Sequence, residues 1–280
     1  MSIAFEKYSH PLDIQYLENI KKLPMLDKAL KKYLEKFDEV SYRTLYLGSS
    51  VKVSERQFPK IHERLSKSCN ILGIDEPELF ISGSAEANAF TFGDTSPLIV
   101  ISAGLLYRVT EDELNAIIAH ECGHIAGRHL LYHSLGNAIL YGSSRFLGSF
   151  VAGGLLMKFF QWMRASEYSC DRAASLAMGS SQPVQSGLLK LATGNAGLLE
   201  KIDLEECFKQ ADTLDKYTED TWKKFISFMS VTSKMTHPFL IHRVRELTRW
   251  TATEDYKNLL CDDDGNKLDL ENPSSPIQFM

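Results

Sequence analysis

The stretch that follows Thr110 restricts the fold more than any other part of this chain, because it joins a helix-start signal, an apolar face and two histidines one turn apart. Thr110 and Glu113 form a capping-box pattern, in which each side chain satisfies a backbone N–H that the first helical turn leaves without a partner. Leu114, Ile117, Ile118 and Ile125 then fall on one side of the predicted helix. Inside it runs His120-Glu121-Cys122-Gly123-His124. Residues four apart share a helix face, so both imidazoles can meet one tetrahedral cation with Glu121 standing beside it. The competing reading, two unrelated histidines on a core helix, has to explain why the pattern lies in a capped helix directly after strand-like segments.

A catalytic ion of this kind needs a third protein ligand and an open position for water. Glu167-Tyr168-Ser169-Cys170-Asp171 offers the best candidate, since Glu167 and Asp171 are again one helical turn apart. One carboxylate can bind metal while the other orients a ligand imidazole. An acidic pair on an exposed face near Arg164 and Arg172 is the bland alternative. His129 competes for the third position. The H-E-x-x-H-x-x-G-x-x-H arrangement has Gly127 in place but calls for histidine where this chain has Leu130, so His129 is one residue early and a polar contact supporting the ligands is its expected role.

Around this centre the sequence predicts an α+β chain, mostly helical, with a small, largely antiparallel sheet beside the site helix. Residues 12–40 read as two charged amphipathic helices divided at Pro24, a solvated cover. Ser54 and Gln57 form another capping-box pattern, with Phe58, Ile61, Leu65 and Leu72 facing inward and Gly73 as the stop. Three β-prone runs follow at residues 78–82, 87–92 and 98–102, separated by Gly83, Gly93 and Pro97. Helices are expected over 161–178, 188–208 with turns near Gly194 and Gly197, 218–235, and from Pro238 to Trp250. The organisation expected is an N-terminal helical section (1–75) packed on a catalytic core (76–255), with a polar tail (256–280). In that tail Asp262, Asp264 and Glu271 read as a polar turn rather than a calcium loop, whose first ligand position would be Leu260.

The net charge of -5 lacks the basic footprint of nucleic-acid binding, which excludes nucleic acid as an expected partner. Five scattered cysteines without Cys-x-x-Cys spacing fit a reducing compartment, and the first residues carry no secretory signal. The expectation is an intracellular, cytoplasmic protein, soluble or peripherally attached to a membrane. Residues 130–163 are apolar but interrupted by Arg145 and Lys158. Their longest uncharged piece downstream of Arg145, 146–157, falls short of the roughly 20 residues a spanning helix needs. A buried helical hairpin is expected there, with membrane contact as the alternative.

The ordered set of motifs resembles the zinc endopeptidase family that contains the HtpX-type quality-control proteases, the mitochondrial Oma-type proteases and the CAAX-prenyl-protein proteases. The matching pieces are Asn88-Ala89-Phe90, His120 to His124 followed by His129, Glu167 to Asp171, and Thr236-His237-Pro238 with Arg243. The resemblance implies a zincin-like (gluzincin) fold, one zinc ion per chain, and hydrolysis of peptide or unfolded-protein substrates in protein quality control. It implies His120, His124 and Glu167 as ligands, Glu121 as general base and His237 as the donor facing the reacting oxygen. It further implies that Arg243 and Asp171 support the site, and that residues 87–92 are an edge strand where a peptide docks with Asn88 near the scissile bond. From the residues alone, His237 reads equally as a helix-start residue and Arg243 as a surface cation. The rival class is a zincin-fold binding or regulatory module without turnover, or a peptidase kept latent by its tail; the intact Glu121 argues against the former.

Overall fold

Leu98–Ser102 is apolar on both faces and all five residues are buried, which marks it as an interior strand. A computed structural model of the chain describes residues 2–23, 26, 30–31, 33, 39–141, 155–218 and 239–261. In it this strand, β4, lies between β2 (Glu78–Ser82) and β3 (Ala89–Phe92), and β1 (Ser50–Lys52) flanks β2, giving the order β1-β2-β4-β3. β1 pairs antiparallel with β2, and β3 antiparallel with β4 with Ala89 opposite Ile101. β2 and β4 pair in parallel, Glu78 opposite Leu98. The sheet is therefore mixed: the expected antiparallel order holds at the two outer pairings, and the doubly buried β4 takes the parallel place in the middle. β1 was not anticipated, because three residues carry too little alternation to read.

Helices pack on this sheet and on one another. The described ones are α1 (Pro11–Lys21), α2 (Glu39–Ser49), α3 (Pro59–Leu72), the short α4 (Ala103–Leu106), α5 (Glu111–Ala126), α6 (Leu130–Tyr141), α7 (Leu155–Ala177), α8 (Gln182–Thr193), α9 (Leu204–Thr218), α10 (Leu240–Thr251) and α11 (Glu254–Leu259). Both bonds of the Thr110/Glu113 capping box form: Thr110 N donates to Glu113 Oε2 at 2.7 Å and Glu113 N to Thr110 Oγ1 at 3.3 Å. The Ser54/Gln57 pattern does not start a helix. Those two residues close a turn, with Gln57 N donating to Ser54 Oγ at 3.2 Å. The helix begins at Pro59, whose missing N–H and fixed φ suit the first helical position. Phe58, at φ 60°, is left exposed rather than inward. Gly73 ends α3 at φ 66°, as its position predicts.

The turns expected near Gly194 and Gly197 are present: α8 stops at Gly194 (φ 69°) and a 3-10 turn, Ala196–Lys201, precedes α9. Both α7 and α8 start earlier than the periodicity indicates. Residues 219–238, which hold the expected 218–235 helix and Pro238, lie outside the described residues, as do 142–154 and 262–280. Among the described residues no helix is long and apolar enough to cross a membrane.

The principal core collects Ile3 and Tyr8 at one end of the chain and Tyr256 and Leu260 at the other around Ile99, Ile101, Ile118 and Ala119. A smaller cluster joins Ile20 of α1 and Leu26 to Leu135, Phe159 and Trp162 of the α6–α7 pair. The solvated-cover reading thus fails for α1, where Asp13 and Ile20 are both buried. Its charged pattern hid an aspartate that is desolvated because α7 supplies polar partners for it.

Candidate metal centre

The capped helix α5 brings His120 and His124 to one face, and both are buried. α7 crosses it and presents Glu167, with 2 % of its surface exposed. One carboxylate meets both rings: His120 Nε2 is 3.4 Å from Glu167 Oε2, and His124 Nε2 is 3.4 Å from Glu167 Oε1. Ligand atoms about 2.1 Å from a tetrahedral ion stand about 3.4 Å from each other, so this spacing fits a divalent cation held among the three. The donor set, two imidazoles and one carboxylate, also has the chemistry of a three-ligand hydrolytic site.

Asp171, one turn beyond Glu167, lies with Oδ1 3.0 Å from His120 Nδ1. That contact holds a proton on Nδ1 and points Nε2 toward Glu167, which leaves Nε2 as the atom a metal would take once its own proton is lost. Arg243 of α10 holds both acids: Nε and Nη2 donate to Asp171 at 2.8 and 2.6 Å, and Nη1 is 2.8 Å from Glu167 Oε2. Arg243 is 4 % exposed, so it is an interior counter-charge and not the surface cation its residue type alone would suggest. Burial would raise the Asp171 carboxyl, but Arg243 and His120 hold it below the usual range. Burial would also lower His120; its bonds to Asp171 and Glu167 outweigh that and bring it up to about 9. His124, with burial dominant over Glu167, is pushed down and stays neutral.

Glu121 is buried beside the pair, and Thr91 Oγ1 of β3 donates to its Oε2 at 2.6 Å. Thr91 gave no signal in the sequence. β3 lies at an edge of the described sheet. Asn88, just before it, is tied to β4 by Ser102 N donating to Asn88 O at 2.9 Å and Asn88 N donating to Ser102 Oγ at 2.9 Å. Asn88 and Ala89 line a hollow next to His120 and Glu121, whereas Phe90 packs with Phe80, Leu98 and Val100 in a separate cluster. Of the expected Asn88-Ala89-Phe90 trio, the first two thus border the hollow, and Phe90 turns to the opposite face of β3 from Ala89.

His129 is fully buried, with Nδ1 3.3 Å from His124 Nδ1 and Nε2 3.1 Å from Asp13 Oδ2. It sits behind His124. Asp13 also accepts from Trp162 Nε1 at 2.8 Å and Ser169 Oγ at 2.6 Å. No pattern near Asp13 announced this; in the structure α1 begins at Pro11, with the His10 side chain accepting from Leu12 N. Other potential ligand atoms lie close: Cys170 near His120 and His124, and His133 near His124 and His129. Burial and the surrounding carboxylates push the Cys170 thiol up, which keeps it protonated, and His133 Nε2 is engaged by Ser166 Oγ at 2.7 Å. The Glu167 carboxylate, by contrast, stands 3.4 Å from the Nε2 atoms of both His120 and His124. His237 lies outside the described residues.

Two imidazoles on one helix turn, a carboxylate from the next long helix, a buried glutamate and an adjoining sheet edge define a metal-dependent peptidase of zincin-like fold. Residues 55–251 match Peptidase family M48, and the chain belongs to that family. It is 30% identical over 259 residues to "Plastoglobule-localized metallopeptidase 48, chloroplastic" of Arabidopsis thaliana, covering 91% of this chain and 75% of the relative. It is 28% identical over 165 residues to "Protease HtpX homolog" of Halobacterium salinarum, covering 51% and 57%. Against "Protease HtpX" of a Psychrobacter species identity is 37% over 95 residues, 32% of this chain and 31% of that one. The expected resemblance to the HtpX group is borne out, and the chain is a metalloendopeptidase.

Proposed function

We propose that the chain cleaves peptide bonds of unfolded proteins or peptides with one zinc ion held by His120, His124 and Glu167. The observation that carries this reading is the placement of both Glu167 oxygens 3.4 Å from the two imidazole Nε2 atoms. When bound, zinc supplies a water with a pKa near 7 and an electrophile for the substrate carbonyl. Glu121, steadied by the Thr91 hydroxyl, takes the proton of the attacking water and passes it to the leaving amine. Asp171 and Arg243 hold His120 and Glu167 in register. An extended substrate lies along β3 and adds its backbone to the sheet edge near Asn88 and Ala89, which favours chains that are already unfolded and fits a part in protein quality control. His237 is assigned the donor to the carbonyl oxygen; loss of one such donor costs about 3 to 4 kcal/mol of transition-state stabilisation.

The five cysteines are all free, which supports action in a reducing compartment. The Arabidopsis relative is named for a chloroplast plastoglobule, and an organelle compartment that is itself reducing suits the chain as well as the cytoplasm does.

Metal analysis combined with peptide-library cleavage tests the reading. Glu121→Gln is expected to bind zinc at the wild-type ratio and to lose cleavage. Wild-type turnover by that variant, or a fully zinc-loaded wild type that cleaves nothing across the library, would reject it.

A further inference from the structure

Cys69 of α3 and Cys122 of α5 place their sulfurs 3.9 Å apart inside the principal core, with 3 % and 0 % of their surfaces exposed. Among the described residues they are the one pair of cysteine sulfurs in contact. Peptide cleavage as proposed above uses neither thiol. Cys122 nevertheless sits inside the site motif, two residues from each imidazole, so on a helix it faces away from them and toward α3.

The other side of α5 has no slack. A Cβ added to Gly123 would stand 3.0 Å from both Cys170 Cα and Ala173 Cβ, so α5 lies hard against α7 just where Glu167 reaches across to the two rings. A disulfide needs its sulfurs about 2.05 Å apart, roughly 2 Å closer than the two thiols stand. Side-chain rotation supplies part of that approach. The remainder draws α5 toward α3 and away from α7, which stretches the two Nε2 to Glu167 distances on which metal binding depends.

We propose that Cys69 and Cys122 are an oxidation site, joined into a disulfide by hydrogen peroxide, and that this bond loosens the metal centre. The inference rests on the metal reading above and adds a control to the same site. The sulfur of Cys69, the less deeply buried of the two, attacks one peroxide oxygen. The O–O bond breaks, the thiol proton leaves with the departing hydroxide as water, and Cys69 becomes a sulfenic acid. The Cys122 sulfur then attacks the Cys69 sulfur, and the hydroxyl leaves with the Cys122 proton as a second water. Two electrons pass from the thiols to one peroxide, and a dithiol reductant returns them by exchange. Peroxide, little larger than water, gains entry by local opening of the segment before α1, which lies over this end of α3: Ile3 N donates to Ile71 O at 2.8 Å, and Ser2 stands against Gly73.

The test treats the zinc-loaded full chain with hydrogen peroxide, maps disulfide-linked peptides by mass spectrometry, and measures zinc affinity by competition with a chelator. A Cys69–Cys122 link is expected, with zinc affinity at least about tenfold lower, the range seen when groups that orient ligands are lost. Dithiothreitol should restore the affinity. Cys69→Ala should bind zinc as the untreated wild type does and keep that affinity through peroxide treatment. No link between these two cysteines, a link that leaves zinc affinity unchanged, or an equal loss in Cys69→Ala would overturn the proposal. Should neither Cys69→Ala nor Cys69→Ser fold, the wild-type map and its reduced and oxidised affinities decide it. Reduced wild type that takes up no zinc rejects the metal reading and this control with it, whereas equal zinc affinity in the reduced and linked forms rejects the control alone.

Discussion

Asp13 Oδ2 lies 3.1 Å from His129 Nε2, and through His129 the N-terminal helix reaches a proposed metal ligand. With the His129 proton on Nε2 toward Asp13, its Nδ1 accepts from His124 Nδ1, 3.3 Å away, and the His124 Nε2 lone pair faces Glu167. The same carboxylate binds Trp162 and Ser169 of α7. Although burial would raise its pKa, His129, Ser169 and Trp162 hold it down, so a charged acid is stable there. α1 is thus part of the scaffold that sets the tautomer of His124, the counterpart of what Asp171 does for His120.

Asp13→Asn should weaken metal affinity by roughly 10- to 100-fold, the usual effect of removing a group that orients a ligand imidazole. Competition against a chelator of known affinity measures it, with circular dichroism as the folding control. Unchanged affinity would limit Asp13 to a packing role.

Replacing Arg243 with methionine leaves Asp171 and Glu167 as two buried carboxylates without their cation. A loss of about 3 to 5 kcal/mol in unfolding free energy is expected for the metal-free protein. Urea denaturation gives the value. Arg243→Lys, which cannot donate to both acids in fork geometry, should recover only part of it.

Thr91→Val removes the hydroxyl from Glu121 and keeps the shape. We expect kcat to fall about tenfold, equivalent to about 1.4 kcal/mol, with metal content and Tm unchanged. An equal fall in metal content would make Thr91 a determinant of the site's architecture instead.

His120 in the metal-free protein has its pKa raised from 6.5 to about 9. A raised value means that the protonated ring stabilises the fold fully below pH 6.5 and that this contribution is lost as pH climbs toward 9. The metal-free Tm should therefore drop across that interval. Metal needs the neutral imidazole, so binding at neutral pH should expel about one proton per ion. Calorimetry in buffers of different ionisation enthalpy counts it, and no release would show that His120 is neutral before metal arrives.

Much of the site was readable where chemistry is local. His120, Glu121 and His124 follow from a helical period, Glu167 and Asp171 from a second one, and the Thr110/Glu113 box fixes where the first helix starts. Arg243 and His129 were pointed to by order and residue type. Their geometry was not, and neither were Thr91 and Asp13, because a lone threonine on a strand and an aspartate on a charged helix look like ordinary surface residues. The side chain of Phe90 packs against Phe80, Leu98 and Val100, on the other face of β3 from Ala89, which a contiguous motif does not reveal.

By itself the sequence determined the elements whose signals lie within a few residues: the capped helix with its two imidazoles, the apolar interior strand 98–102, and the stop at Gly73. Only the tertiary structure decided which distant groups lose their water together. α7 brings Glu167 against both rings, α10 brings Arg243 to neutralise the acids, and α1 brings Asp13 to His129. Each pairing is stable because burial makes an unpartnered charge costly, and that cost depends on the folded surroundings and on no local pattern.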